Sequence, residues 1–199
     1  MASRLQPSSV PIIVCEGHSE RNYLNELNKI LVRNLYSAFC TPVPVLSGYF
    51  SSVVTKVKEC KKKNRKAEIF VWVDKDIYVR NSQKCLDNYS KKGMNIPDFW
   101  FSTMNFEDFL SLHYSASEVA SFEKILEKKN HFCQPLTEDS YLPCFKSTIC
   151  PEYLKGDLPF VLDKNRLNTM LSNLGKYKMD CQFAYWLREQ LNSGAVTFR

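Results

Sequence analysis

The sequence predicts an α/β protein with a mostly parallel sheet that helices cover on both faces. Short apolar segments rich in β-branched residues alternate with segments of helical period over the first 115 residues. Successive positions in these short segments are apolar, so both faces of each strand are expected to be buried. The chain has 199 residues, 44% of them hydrophobic, and is long enough to bury a sizeable core.

Four short segments are predicted as strands, and their order along the chain sets the topology. They are VPIIVC (10–15), TPVPVL (41–46), IFVWV (69–73) and IPDFWFST (96–103). The second of them contains two prolines, which favours an edge or terminal position because proline cannot donate to the strand ladder. Strands that alternate with helices in this way form parallel sheets.

Helices are predicted between and after these strands. The first begins near Ser19, a plausible N-cap, and its apolar residues recur with helical period; the second runs from Tyr49 to about Lys63. A polar helix or loop is expected over 80–92, and a further helix begins after Asn105, which occupies a capping position.

The C-terminal part, residues 116–199, is predicted to be a helical extension that packs on a core formed by residues 1–115. Residues 131–160 contain four prolines and no clear period, so we expect an irregular insertion at about 130–160. Helices are expected to resume at 164–173 and 180–192.

Composition limits the environment and the partners of the chain. A net charge of +6 and a pI near 8.8 favour an anionic partner. No apolar run approaches the roughly 20 residues that cross a bilayer, so no membrane contact is predicted. The first residues, MASRLQPSS, lack the apolar region of a secretory signal, so we expect a cytoplasmic protein whose eight cysteines are reduced.

Acidic residues follow three of the predicted strands or the turns after them. They are Glu16, Glu20, Asp74, Asp76 and Glu107. In parallel sheets, ligands and reacting groups collect at the carboxyl ends of the strands. Glu20 lies one helical turn after Glu16, and Asp74 and Asp76 face the same way if the chain stays extended. Like charges gathered in this way require a cation, and Mg²⁺ or Mn²⁺ bound by carboxylates is the expected cofactor, with two ions favoured.

Each of these motifs alone has a simpler interpretation. Two aspartates after a strand often begin a solvated loop, and glutamates in a first helical turn favour the helix dipole. A hydrophobic strand that ends in aspartate is also typical of a Walker B motif, but the chain contains no GxxxxGK[ST] sequence. Their combination, each at a strand end, favours a metal site.

The same motifs resemble a known family. A strand followed by Glu16-Gly17 and, about sixty residues later, a strand followed by Asp74-Lys75-Asp76 is similar to the TOPRIM domain of topoisomerases, primases and OLD-type nucleases. VCEGHSERNYLNEL (14–27) resembles the EGxxE-x-x-[YF] opening of the RloB-like branch, and FWFSTMNFEDFLSLHY (99–114) resembles its later segment SNPCFELWLLLHF. The resemblance covers about residues 10–115 and implies a Rossmann-like sheet.

The resemblance also implies roles for particular residues. Glu16 and Glu20 would hold one metal, with Glu16 near the general acid–base role, Asp74 and Asp76 would hold the second, and Glu107 would complete the site. GKYKMDCQFAYWLREQL (175–191) is similar to a late family motif in which a lysine lies near the metals. Lys176 or Lys178 is therefore a candidate catalytic cation, and we favour Lys178. The sequence departs from the family at Met104-Asn105 and in having Asp108 after Glu107.

A basic cluster (residues 56–66) is the strongest candidate for nucleic-acid contact. Its central residues are Lys61, Lys62, Lys63, Arg65 and Lys66. Such a cluster can bind phosphates with salt-sensitive affinity, or it can simply be a solvated helix face.

A zinc site is not expected. The possible ligands lack the CxxC spacing of zinc sites; they are His131, Cys133, Cys144 and Cys150.

Three functions fit these observations. The first is a Mg²⁺- or Mn²⁺-dependent nuclease that cleaves DNA or RNA, including tRNA; the family resemblance implies an anti-phage effector controlled by an ABC- or SMC-like ATPase partner. The second is a non-catalytic TOPRIM-like subunit that binds the ATPase or nucleic acid. The third is a metal-dependent phosphotransferase or phosphatase, although DKDIYV lacks the Ser or Thr expected after an aspartate nucleophile.

Overall fold

The computed structural model describes residues 10–33, 36, 38–45, 50–76 and 99–199. These residues form six strands and seven helices. In chain order they are β1 (Ile12–Cys15), α1 (His18–Ile30), β2 (Leu31–Arg33), β3 (Thr41–Pro44), α2 (Phe50–Lys63), β4 (Ile69–Asp74), β5 (Phe99–Ser102), α3 (Phe106–Ser111), α4 (Ala116–Lys128), α5 (Glu138–Thr148), α6 (Lys164–Asn173), α7 (Gln182–Asn192) and β6 (Val196–Phe198).

The main sheet has four strands in the order β3-β1-β4-β5, and all its neighbouring pairs are parallel. This architecture confirms the predicted α/β class and is compatible with a Rossmann-like fold. Strand β3 holds Pro42 and Pro44 and lies at one edge, as its composition predicted. Asp74, the last residue of β4, is in register with Ser102, the last residue of β5.

Successive residues of the central strands face two different cores, which explains their continuous apolar runs. Ile12 and Val14 of β1 pack with Val53 and Val57 of α2 on one face of the sheet. Alternate residues such as Ile13 and Cys15 pack in a larger core on the other face, with α1, α3 and α7. Both faces of the sheet therefore carry helices, as the sequence predicted.

The larger core joins the two parts of the chain that were predicted as core and extension. Its buried side chains run from Ile13 in β1 to Val196 in β6 without a break at residue 115. Phe183 of α7 stacks on Trp72 of β4 with ring centroids 4.3 Å apart. The last strand, β6, pairs antiparallel with β2, the strand that directly follows α1. The C-terminal residues thus complete the hydrophobic interior of the sheet region.

The predicted irregular segment at 130–160 requires a correction, because it contains the helix α5. Thr137 precedes this helix as its N-cap, and Tyr141, Cys144 and Phe145 are its buried residues, spaced as one helical face. Pro143 lies inside the helix, where it removes one backbone donor, and packing of the apolar face outweighs that loss.

The helices predicted at 164–173 and 180–192 are confirmed and correspond to α6 and α7. The helix or loop expected over 80–92 lies outside the described residues. In the part of the chain that the structure describes, no helix combines the length and the apolar character needed to cross a membrane.

Candidate active site

The structure brings all five predicted carboxylates together at the carboxyl edge of the parallel sheet. Their negative charges act on one another. The pKa of the Asp74 carboxyl is raised well above its ordinary value, first by burial and then by the negative charges of its four neighbours. Those neighbours are Glu20, Glu16, Asp76 and Glu107. The site therefore combines residues from β1, α1, β4 and α3.

Glu16 follows β1 and bridges to the neighbouring strand. The backbone N–H of Asp74 donates to Glu16 Oε2 at 3.1 Å, so the carboxyl group is held against the end of β4. Burial and the negative charge of Glu20 raise the pKa of Glu16 to about 8, although the hydrogen bond from Asp74 acts in the opposite direction. Glu16 therefore holds or releases a proton near neutral pH.

Glu20 lies in the first turn of α1 and is almost completely buried. Burial raises its pKa to about 7, while hydrogen bonds from its own N–H and from Gly17 N–H lower it and the charge of Glu107 raises it. A Cβ atom at Gly17 would lie 3.2 Å from Glu20 Oε2, closer than most real contacts. A residue without a side chain at position 17 thus allows the carboxylate to fold back over the helix N-terminus.

Asp74 supplies the least satisfied atom of the site. Its Oδ1 is buried and has no hydrogen-bond partner in the part of the chain that the structure describes. Burial of a carboxylate oxygen without a donor is costly unless a cation or proton neutralises it. The unpartnered oxygen therefore marks the point of the cluster where a positive charge is most favourable.

The relation between Asp74 and Asp76 differs from the one expected. The extended backbone ends at Asp74, and residues 75 and 76 are helical, so alternation along a strand does not bring the two side chains together. The N–H of Asp76 instead donates to the carbonyl oxygen of Met104 at 3.1 Å, which fixes this turn against the end of β5. The Asp76 charge still raises the pKa of Glu16 and Asp74.

Glu107 lies in the first turn of α3 and is 6% exposed. The hydroxyl of Tyr153 donates to Glu107 Oε1 at 2.9 Å. Burial raises the pKa of Glu107, and the hydrogen bonds of its own N–H and of Tyr153, together with the charge of Lys155, offset only part of that shift. Sequence reasoning missed Tyr153 because 46 residues separate it from its partner.

Tyr153 and Lys155 belong to a covering segment (residues 150–163) that lies between α5 and α6. Asn22 Nδ2 of α1 donates to the carbonyl oxygen of Gly156 at 2.9 Å, and Gly156 has a φ of +98°, a conformation that favours glycine. Farther along, the ring of Phe160 stacks on His113 with centroids 4.8 Å apart. The covering segment is thus fastened to α1 and to the residues that follow α3.

Among the described residues, Lys155 is a cation that acts on the carboxylates, and it was not predicted. Its positive charge lowers the pKa of Glu16, Glu20 and Glu107. Partial burial disfavours the charged form of Lys155, but its hydrogen bond to Glu138 at 2.6 Å and the negative charges near it raise its pKa overall. A lysine beside a glycine turn in YLKGD was the available sequence signal.

Lys178, the predicted catalytic lysine, is placed elsewhere by the structure. Its Nζ lies 2.7 Å from Glu127 Oε1 of α4, and its backbone N–H donates to Glu123 of the same helix. Its side chain is 61% exposed, and its charge is absent from the main causes that shift the carboxyl groups. Lys176 is exposed as well. The resemblance to a late family lysine therefore does not bring either residue to the site.

Asp108, which follows Glu107, has a structural role. It is fully buried, and its Oδ2 accepts from the N–H groups of Met104 and Asn105, both at 3.1 Å. Tyr141 OH donates to Asp108 Oδ1 at 2.6 Å, and His131 Nε2 lies 3.1 Å from Oδ2. These contacts fix the start of α3 and hence the position of Glu107.

His131 uses both ring nitrogens in this network. The N–H of Leu136 donates to Nδ1 at 3.2 Å, so Nε2 carries the proton that is donated to Asp108. The Cys144 thiol donates to the carbonyl oxygen of Ser140, and Cys133 is exposed. The His and Cys side chains of this region therefore serve packing and hydrogen bonding where the structure describes them.

The basic cluster lies at the amino ends of the parallel strands, whereas the carboxylates lie at their carboxyl ends. Helix α2 runs from the carboxyl end of β3 back to the amino end of β4, and residues 61–66 lie at its C-terminal end and in the turn that follows. All five of the basic residues predicted to bind nucleic acid are exposed: Lys61, Lys62, Lys63, Arg65 and Lys66. The structure thus keeps the two predicted sites apart.

Within the described residues, no three His, Cys, Asp or Glu side chains already form a ligand set for a metal ion. Comparisons of the chain with protein-family models, with curated proteins and with solved structures found no match. The TOPRIM resemblance stays a prediction from the motifs, and the geometry of the carboxylates is the basis for a functional proposal.

Proposed function

We propose that this chain is a nuclease that depends on Mg²⁺ or Mn²⁺ and hydrolyses phosphodiester bonds of nucleic acid. The observation that carries the proposal is the buried Asp74 Oδ1, which has no hydrogen-bond partner among the described residues although the negative charges of four other carboxyl groups act on it. Protein interiors rarely leave such an atom unpaired, and those that do so often use it for ligand binding or catalysis.

The donor set fits a hard divalent cation. Glu16, Glu20, Asp74, Asp76 and Glu107 offer oxygen ligands alone, which Mg²⁺ and Mn²⁺ prefer to nitrogen or sulfur. Mg²⁺ usually takes one or two protein carboxylates and completes its shell with water and phosphate oxygens. The carboxylates can therefore serve without a preformed set of three ligands. Bound ions of this kind supply Lewis acidity and charge neutralisation for phosphoryl transfer.

The protein groups around the cluster suit proton transfer and phosphate binding. Burial raises the pKa of Glu16 to about 8 in the metal-free protein, and a bound divalent cation would favour its carboxylate form, which can accept a proton from an attacking water. Lys155 is partly exposed and already acts on the carboxylates, so it can bind a non-bridging phosphate oxygen and stabilise the charge that develops there. Tyr153 and Asp108 hold Glu107 and α3 in place for this chemistry.

The choice of a nucleic-acid substrate rests on charge. The exposed basic cluster and the net charge of +6 favour a polyanion over a small phosphate ester. The anti-phage role and the ATPase partner follow only from the family resemblance, and they belong to the proposal on that basis.

A cleavage assay with matched variants tests the proposal. Purified protein is freed of metal, then incubated with supercoiled DNA and with total tRNA in Mn²⁺, in Mg²⁺ and in EDTA. Asp74→Asn replaces a carboxyl group of the cluster with a neutral amide, whereas Asp139→Asn removes an exposed carboxylate from the first turn of α5. We expect cleavage that requires the metal, is lost in Asp74→Asn and is retained in Asp139→Asn.

Two results would contradict the proposal. Cleavage by a folded Asp74→Asn protein at the wild-type rate would remove the carboxylate site from the reaction. Binding of nucleic acid without any cleavage in either metal would instead favour the non-catalytic subunit.

A further inference from the structure

The positive charge of the chain is concentrated in the basic cluster. Residues 56–66 contain seven Lys or Arg residues and one glutamate, so their net charge of +6 equals that of the whole chain. The rest of the chain carries equal numbers of acidic and basic side chains. A distribution this uneven creates a local positive potential that the overall charge does not convey.

The cluster is presented outward by the packing of α2. Val53, Val54, Val57 and Cys60 attach the helix to the sheet. Lys58, Lys61 and Lys62 are exposed, and the glutamate of the cluster, Glu59, pairs with Lys56 at 3.2 Å. Lysines in the last turn of a helix favour its dipole, but that effect does not account for Lys58 or for Arg65 and Lys66 beyond the helix end.

The distance between the cluster and the carboxylates follows from the topology. Strand β4 runs from the end of the cluster to Asp74, and its six residues span about 17 Å at roughly 3.3 Å per residue. Helix α2 runs between the same two ends of the sheet, from the carboxyl end of its strands to the amino end. Its 14 residues measure about 21 Å at roughly 1.5 Å per residue. Stacked base pairs of DNA rise about 3.4 Å each, so this separation corresponds to about five or six base pairs.

We propose that the basic cluster is a second nucleic-acid contact, which binds backbone phosphates about five or six base pairs from the bond that the carboxylates cleave. This inference rests on the proposed function for the position of the cleaved bond. It identifies the preferred substrate as a nucleic acid that is long enough to span both edges of the sheet. A substrate confined to the carboxylate site does not reach the cluster.

Binding without metal tests the contact by itself. Lys61→Gln, Lys62→Gln and Lys63→Gln are combined in a cluster variant, because glutamine keeps the helix propensity of lysine. Lys124→Gln, Lys128→Gln and Lys129→Gln, all exposed on or just after α4, make a control with the same loss of charge. Affinity for 30-base-pair DNA and RNA duplexes is measured by fluorescence anisotropy in EDTA between 50 and 200 mM salt.

We expect the salt dependence to change in the cluster variant alone. Each lost phosphate contact lowers the slope of log affinity against log salt by about 0.9, so three contacts lower it by about 2.7. Across a fourfold range of salt, the wild type then loses about 40-fold more affinity than the cluster variant does. Equal slopes in the cluster variant and the control variant would overturn the proposal.

Cleavage in Mn²⁺ tests the length requirement. The cluster variant should show a lower kcat/KM on the duplex and an unchanged rate on bis(p-nitrophenyl) phosphate, which is too small to reach residues 56–66 from the carboxylates. An equal decrease in the rates on both substrates would contradict a second nucleic-acid contact at the cluster. Absence of turnover by the wild-type protein on every substrate would refute the proposed function instead, and the anisotropy series would still decide whether the cluster binds nucleic acid.

Discussion

Replacing Glu16 with glutamine is expected to stabilise the metal-free protein at alkaline pH. The folded protein holds a proton on Glu16 up to a pKa of about 8, whereas the ordinary value is 4.5. The folded state therefore binds the proton more tightly than the unfolded chain does, and stability from this group is lost as pH rises through 8. Glutamine removes this dependence, and its carbonyl oxygen can still accept from Asp74 N–H.

The size of the effect follows from the two pKa values. Each pH unit between them is worth about 1.4 kcal/mol, so raising the pH from 5 to 8.5 costs the wild type about 4 kcal/mol. Glu16 is only partly buried, and solvent screening reduces this figure to about 2 kcal/mol. For a chain of this length, such a difference corresponds to about 4–8 °C in Tm.

Thermal unfolding followed by circular dichroism in EDTA measures this prediction. At pH 8.5, Glu16→Gln should melt about 4–8 °C above the wild type, and at pH 5 the difference should nearly vanish. Mn²⁺ at pH 8.5 should raise the Tm of the wild type more than that of Glu16→Gln. Glu189→Gln, an exposed glutamate of α7, is the matched control and should change neither value. A pH-independent shift, or a loss of stability at pH 8.5, would refute the electrostatic account of the site.

Two further predictions compare matched pairs of variants. Lys155→Gln should slow metal-dependent cleavage by about 100-fold, since it removes the cation beside the carboxylates, whereas Lys178→Gln should leave the rate unchanged. Steady-state kinetics would contradict this placement if Lys178→Gln proved the slower variant. Tyr141→Phe should lower the free energy of unfolding by about 1.5–3 kcal/mol because the buried Asp108 loses its hydroxyl donor. Tyr177→Phe loses only an exposed hydrogen bond to a backbone carbonyl, so it should lower the free energy of unfolding by less, as measured by urea denaturation. Equal decreases in the two variants would argue against a stabilising role of the buried network.

Local patterns were sufficient to predict the sheet and the ends of its strands at which Glu16 and Asp74 lie. The apolar runs of β1 and β4 specify strands buried on both faces, and the rule for parallel strands then locates Glu16 and Asp74. These inferences need only neighbouring residues and a topological rule.

The remainder of the site depends on contacts between distant parts of the chain. Tyr153 reaches Glu107 across 46 residues, and Lys155 comes from a segment whose prolines suggested irregular structure. The β4–β5 pairing ends at Asp74, and the N–H of Asp76 donates to the carbonyl oxygen of Met104, a contact that local composition does not reveal. The motif around Lys178 resembled a catalytic segment, but its amino group pairs with α4.

The covering segment has a consequence for the synthesis of the protein. The ribosome makes Glu16, Glu20, Asp74 and Glu107 well before it makes Lys155. A nascent chain that has folded only its first strands gathers these acids without the ammonium group that offsets them. Emergence of residues 150–163 supplies that group, so the sheet edge is expected to become fully stable only late in translation.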